Sequence, residues 1–117
     1  MDVRDLVRAL LAFDALSARE WVVEASRRRL RWREVPAPID LAANELALAA
    51  GVVELLAARA GEQPPAWTSQ IGTGPKDVFL VRAVETMPRL REVCLREGPE
   101  PLRKRGFFAP PEFLTFA

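Results

Sequence analysis

Apolar residues recur with helical spacing from the first residues of the chain. Val3, Leu6, Val7, Leu10 and Leu11 fall at i, i+3, i+4, i+7 and i+8, with Phe13 just beyond. This pattern predicts an amphipathic helix over residues 3–13, capped by Asp2, with Arg4, Asp5 and Arg8 on the outer face. Ser17-Ala18-Arg19-Glu20 has the form of a capping box and predicts a second helix from there to about residue 29. Trp21, Val22 and Ala25 would face inward, and Glu20, Glu24 and Arg28 outward at i, i+4 intervals. Pro36 and Pro38 then stop helical structure and predict an extended connector.

Asp40 is placed to cap a third helix over residues 41–60, with Gly61 closing it. This segment is apolar on nearly every face, as the central helix of a bundle should be. Gly51 near its middle costs about 1 kcal/mol relative to Ala, which a close helix crossing at that point would explain. Residues 62–75 are the longest irregular stretch, and Trp67 beside Pro64-Pro65 reads as an anchor to the core. A fourth helix is expected over 76–86. A fifth is expected over 88–97, with Pro88 in its first turn and Gly98 at its end. Residues 99–105 suit one more short helix or turn, and Pro110-Pro111-Glu112 a last turn carrying Phe113, Leu114 and Phe116. There is no strand alternation of useful length and no internal repeat. The expected fold is all-α: a single domain over residues 1–117, a compact bundle of five to six helices with a Pro/Phe-rich C-terminal strap.

Composition narrows the function classes. Half of the 117 residues are apolar, enough for a core without staples. The 17 basic and 16 acidic residues leave a net charge of +1, so no global field steers the chain toward nucleic acid or membrane. The apolar stretch 41–60 contains Asn44, Glu45, Glu54 and Arg59, unlike a membrane span. The single cysteine, Cys94, excludes an intrachain disulfide, and the start Met-Asp-Val-Arg-Asp lacks the charge pattern of a secretory signal. A soluble cytoplasmic protein is the expectation.

Histidine and tyrosine are absent, which removes the commonest general base and imidazole metal ligand. Cys94 has no histidine to activate it and falls on the apolar side of its helix, as an inert thiol would. Gly72-Thr73-Gly74-Pro75-Lys76-Asp77 superficially resembles a phosphate loop, but Pro75 and Asp77 occupy the places of the required Gly and Ser or Thr. The carboxylates are spaced to meet Arg on helix surfaces, as Glu24 with Arg28 and Glu92 with Arg96. No catalytic, cofactor-binding or metal-binding residues are assigned, and no enzyme is expected.

Two basic clusters remain as candidate surfaces. Arg27, Arg28, Arg29, Arg31, Trp32 and Arg33 could contact phosphates and stack a base. They fall at the end of the second helix, however, whereas base-reading helices use their first residues, and Arg there also suits the helix dipole. The second cluster, Arg103, Lys104 and Arg105, precedes Phe107, Phe108, Phe113 and Phe116. The last nineteen residues hold four of the six Phe and four of the ten Pro. These rings either fold back into the bundle or form an aromatic partner-binding edge with a basic rim.

The run Glu97-Gly98-Pro99-Glu100-Pro101-Leu102-Arg103-Lys104-Arg105-Gly106-Phe107-Phe108-Ala109-Pro110-Pro111-Glu112-Phe113-Leu114 resembles a family of small all-helical bacterial proteins of no established activity. Met87-Pro88-Arg89-Leu90-Arg91, Pro65-Ala66-Trp67-Thr68 and Ala18-Arg19-Glu20-Trp21-Val22 extend the resemblance over most of the chain. Some similar proteins accompany small two-gene modules of toxin–antitoxin type. The resemblance therefore implies a non-enzymatic protein-interaction module, antitoxin-like, with a protein partner or self-association. Nucleic-acid binding through the Arg27–Arg33 cluster is the alternative.

Overall fold

The chain is organised around one helix that has almost no polar face. The computed structural model describes residues 1–74 and 76–116. Five α-helices carry them: α1 Val3–Leu11, α2 Ala15–Arg27, α3 Ala43–Arg59, α4 Pro88–Glu97 and α5 Glu100–Arg103. Helix α3 buries ten residues from Ala47 to Ala57, among them Leu48, Val52, Val53 and Leu56. Helices α1 and α5 pack directly on it, and α2 packs on α1. The fold is all-α, as the periodicity predicts.

Gly51 has the reason expected of it. A β-carbon there would stand 2.8 Å from Leu102 Cδ2 and 3.1 Å from the Pro101 carbonyl. Helix α5 therefore crosses α3 backbone to backbone at Gly51, with Leu102 fully buried in the contact. The indoles also act as pins. Trp67 Nε1 donates to the Val35 carbonyl at 2.9 Å and ties the irregular stretch to the connector. Trp21 Nε1 donates to the Asp2 carbonyl at 2.9 Å, and its ring packs 6.2 Å from that of Trp32.

Helices α1, α2 and α3 end in the same way. At α3, Gly61 N–H reaches Ala58 O at 3.1 Å and Glu62 N–H reaches Ala57 O at 2.9 Å, the paired bonds of a Schellman motif. Phe13 and Asp14 make the corresponding bonds to Leu10 and Ala9 after α1, and Arg29 and Leu30 to Ser26 and Ala25 after α2. Each motif needs one left-handed residue. Gly61 supplies it at φ 72°, but Phe13 and Arg29 supply it at 55° and 53°. A side chain in that conformation costs roughly 1–2 kcal/mol.

Three boundaries differ from expectation. Helix α2 starts at Ala15, not Ser17, because the Asp14 carboxylate accepts from Ser17 N–H at 3.1 Å and caps the helix earlier. Helix α3 starts after Ala42, whose N–H donates to the Glu45 carboxylate at 3.0 Å; Asp40 lies outside the helix at φ 58°. The helix expected over 76–86 does not form. Val78–Phe79 is instead a two-residue strand, β1, paired in parallel with β2, Phe107–Phe108. Val78 N–H donates to Gly106 O at 2.8 Å and Leu80 N–H to Phe108 O at 2.9 Å. That pairing with residues far along the chain outcompetes local helix formation, leaving only a 3-10 turn over Arg82–Glu85.

The strap continues from β2 as a single layer over the helices. Ala109 is fully buried and lies so close to Gly98 that a β-carbon on Gly98 would be 2.7 Å from the Ala109 carbonyl. Gly98 does follow α4 as expected, but at φ −60°. It is required by this close approach, not by a left-handed closure.

Candidate functional site

The second basic cluster bonds to its own fold, and one of its residues is buried. Arg105 is 3% exposed, and all five of its N–H groups are used. Two parallel bonds reach the Glu54 carboxylate at 2.7 and 3.1 Å. The other three go to the carbonyls of Ile71, Pro101 and Thr68 at 3.2, 2.9 and 2.9 Å. Such a fork is the arrangement that lets a guanidinium leave water. Lys104 adds a half-exposed bond to Glu54 at 3.1 Å, and Arg103 donates to the Arg96 carbonyl. Burial raises the Glu54 pKa, but the bonds from Arg105 and Lys104 outweigh it and hold the carboxyl below its ordinary value. Gly106, at φ 86°, then turns the chain so that Phe107 enters the core. Phe108 packs 5.4 Å from Phe79, whose other neighbour is the Arg91 guanidinium at 4.4 Å.

Of the partner-edge candidates, then, Arg105 and Phe107 are interior and Phe108 is half-buried. Phe113 and Phe116 are partly exposed and rest against the core. Cys94 is fully buried, and burial, helped by Glu112, raises its thiol pKa. Pro75, on which the phosphate-loop comparison turned, lies outside the described residues.

The first cluster stays outside. Arg27 and Arg28 share Glu24, at 2.6 and 3.1 Å. Arg29, Arg31 and Arg33 are exposed and have no ion pair among the described residues. Trp32 is 6% exposed and packs on Trp21, so its ring face is not offered to a base. The cluster also divides: Arg31 and Arg33 line one hollow with Glu34 and Glu62, while Arg27 and Arg29 line a second that meets the first at Glu62.

Arg27 and Arg29 border a groove of about 810 Å³, and here the structure joins the two sets of candidates. Its floor is apolar, with Val22, Leu30, Leu56 and the edge of Trp32. Leu114, Thr115 and Phe116 of the strap form the opposite wall. Arg59 stands between them. It donates to the carbonyls of Phe113 and Pro111, and burial lowers its pKa. Val23 lies on the wall and is 45% exposed, a large apolar side chain left in water. Glu62 is the one carboxylate in the lining, against the guanidinium groups of Arg27, Arg29 and Arg59, so the groove can accept an apolar side chain on its floor and its rim keeps a net positive charge.

Sequence reasoning missed Arg59 as part of this surface. The signal was a lone guanidinium in the last turn of a mostly apolar helix. Among the described residues, no helix is long and apolar enough to cross a membrane. No protein-family model, curated protein or solved structure matches this chain.

Proposed function

We propose that this chain is a non-enzymatic protein-interaction module, the antitoxin-like member of a bacterial gene pair, and that it holds its partner in the groove between α2, α3 and the strap. The observation that carries the reading is the meeting of an apolar floor with three guanidinium groups, Arg27, Arg29 and Arg59, on a surface contributed by three separate segments. Interfaces of this kind combine a desolvated apolar centre with a charged rim. The antitoxin-like part rests on the sequence resemblance. The test is capture from the native host with the full chain and with Val23→Asp, which alters an exposed wall residue without touching the core. A stoichiometric partner retained by the wild type and lost by the variant is expected. Equal capture by both, or no stoichiometric partner, would overturn the proposal.

Nucleic-acid binding is the second reading, favoured by Arg29, Arg31 and Arg33 standing exposed without carboxylate partners among the described residues. It requires binding that weakens steeply with salt. Absence of any DNA or RNA shift at low salt, or a shift unchanged by replacing Arg29, Arg31 and Arg33, would end it.

A further inference from the structure

A second cleft lies on the other side of the strap, with Leu114 and Phe116 as the shared wall. It measures about 370 Å³ and opens between the α1–α2 turn, the Arg82–Glu85 turn and the strap. Leu10, Phe13, Leu80 and Phe113 form its apolar sides, and small residues, Ala15 and Ala83 among them, leave the room inside. A concave, mostly apolar site of this size with few polar groups is the usual form of a small-molecule pocket.

Two observations distinguish it from a packing gap. The first is backbone strain. Phe13 and Leu114 both line the cleft and both adopt left-handed conformations, at φ 55° and 62°. Glycine is the residue such positions favour. Phe13 instead carries a ring that is 41% exposed at the mouth. The turn that closes α1 accounts for Phe13, but Leu114 closes no helix, and strained side chains of that kind collect where a surface holds a ligand.

The second is charge. The lining contains two ionisable groups, Asp14 and Arg82. Asp14 is already engaged, capping α2 through Ser17 N–H at 3.1 Å, where the helix dipole offsets its charge. The Arg82 guanidinium lies 4.8 Å above the Phe13 ring and has no ion pair among the described residues. Arg19, one turn beyond Ala15, similarly covers the Phe116 ring at 5.9 Å. A guanidinium resting on an aromatic face keeps its N–H edge available for a carboxylate.

We infer that this cleft binds an apolar carboxylate, an alkanoate or arylalkanoate of medium length, with its hydrocarbon body among the Phe rings and its carboxylate on Arg82. The site is separate from the partner groove and does not depend on it.

The test is a titration of the full chain with sodium octanoate, followed by amide shifts in ¹H–¹⁵N spectra, with 1-octanol and octylamine as comparison probes. Saturable shifts at Phe13, Ala15, Leu80 and Ala83 are expected, with octylamine at least about tenfold weaker, the effect of one lost charge-assisted contact. Arg82→Gln should lower octanoate affinity to that of octanol and leave octanol unchanged. Ala83→Leu should fill the cleft and abolish both; Ala15→Leu, at an exposed position, serves the same purpose if Ala83→Leu disturbs the fold. No shifts at millimolar octanoate, shifts centred on Val23 and Arg29 instead, or equal binding of octylamine would overturn the inference. Shifts at the cleft with no partner captured would leave it standing and count only against the groove.

Discussion

Arg27-Arg28-Arg29 and Arg103-Lys104-Arg105 are basic triplets that each begin at the last residue of a helix, yet the first stays wholly at the surface and the second sends its last member, Arg105, into the interior. The difference lies in what each helix end faces. Helix α5 ends against α3, where Glu54 and a ring of carbonyls from Thr68, Ile71 and Pro101 wait for a cation. Helix α2 ends at the surface, where its own Glu24 meets Arg27 and Arg28. The chain then turns differently at each place. After Arg105 a glycine takes the left-handed position and lets Phe107 dive into the core; after Arg28, Arg29 takes it itself. A basic run acquires its role from the acceptors brought to it.

The largest effect should separate the two triplets outright. Arg105→Ala leaves Glu54 poorly compensated in the interior and should cost about 3–5 kcal/mol, whereas Arg31→Ala should stay within about 0.5 kcal/mol of wild type. Denaturant unfolding of both variants measures the contrast, and equal effects would erase it. Next in size is the crossing of α5 over α3 that precedes Arg105. Gly51→Leu should cost roughly 1–3 kcal/mol by pushing α5 off α3, with part of the loss recovered in Gly51→Leu/Leu102→Ala.

Acid should discriminate more gently. The Glu54 pKa is lowered in the folded protein, so its contribution is complete above the ordinary value of 4.5 and disappears as pH falls through the folded value. Glu54→Gln should therefore flatten the loss of stability below that pH. The Glu24 pKa is lowered too, by Arg27 first and then Arg28, but both of its partners are exposed to water. Glu24→Gln should alter the acid profile only at low ionic strength, because exposed pairs are screened. Thermal melts across pH at two salt concentrations test both. Smallest of all, Arg29→Gly relieves a left-handed side chain at an exposed site and should raise stability by about 1 kcal/mol. A loss of stability would mean that Arg29 makes contacts that outweigh the strain.

Local patterns made most of the helices legible. The run of apolar residues through α3 announced a buried helix, Gly51 announced its crossing, and Pro88 and Gly98 marked α4 at both ends. What stayed hidden depended on distant partners. Val78-Phe79 has a helix-compatible pattern until Phe107-Phe108 arrives beside it. The role of Arg105 depended on Glu54, fifty-one positions earlier. Glu54 stands alone among the apolar residues 46–58, and a carboxylate there requires a cation, for which the basic triplet was the natural source. The groove was illegible because its parts come from α2, α3 and the strap, and neither charge runs nor periodicity records their proximity. Helices α1 and α2 stop two residues before 13 and 29, where Phe13 and Arg29 take the left-handed position that a glycine usually marks.

The short parallel bridge has a consequence for motion. The amide hydrogens of Gly74, Val78 and Leu80 are held by the carbonyls of Arg105, Gly106 and Phe108, so they are shielded only while the strap is seated. Amide exchange at these three positions therefore reports strap opening directly. If the three exchange together, and faster than Val52 and Val53 in α3, the strap lifts as one cooperative unit while the central helix remains folded. Ligands on either side of the strap would then slow that exchange in proportion to how tightly they bind the seated form.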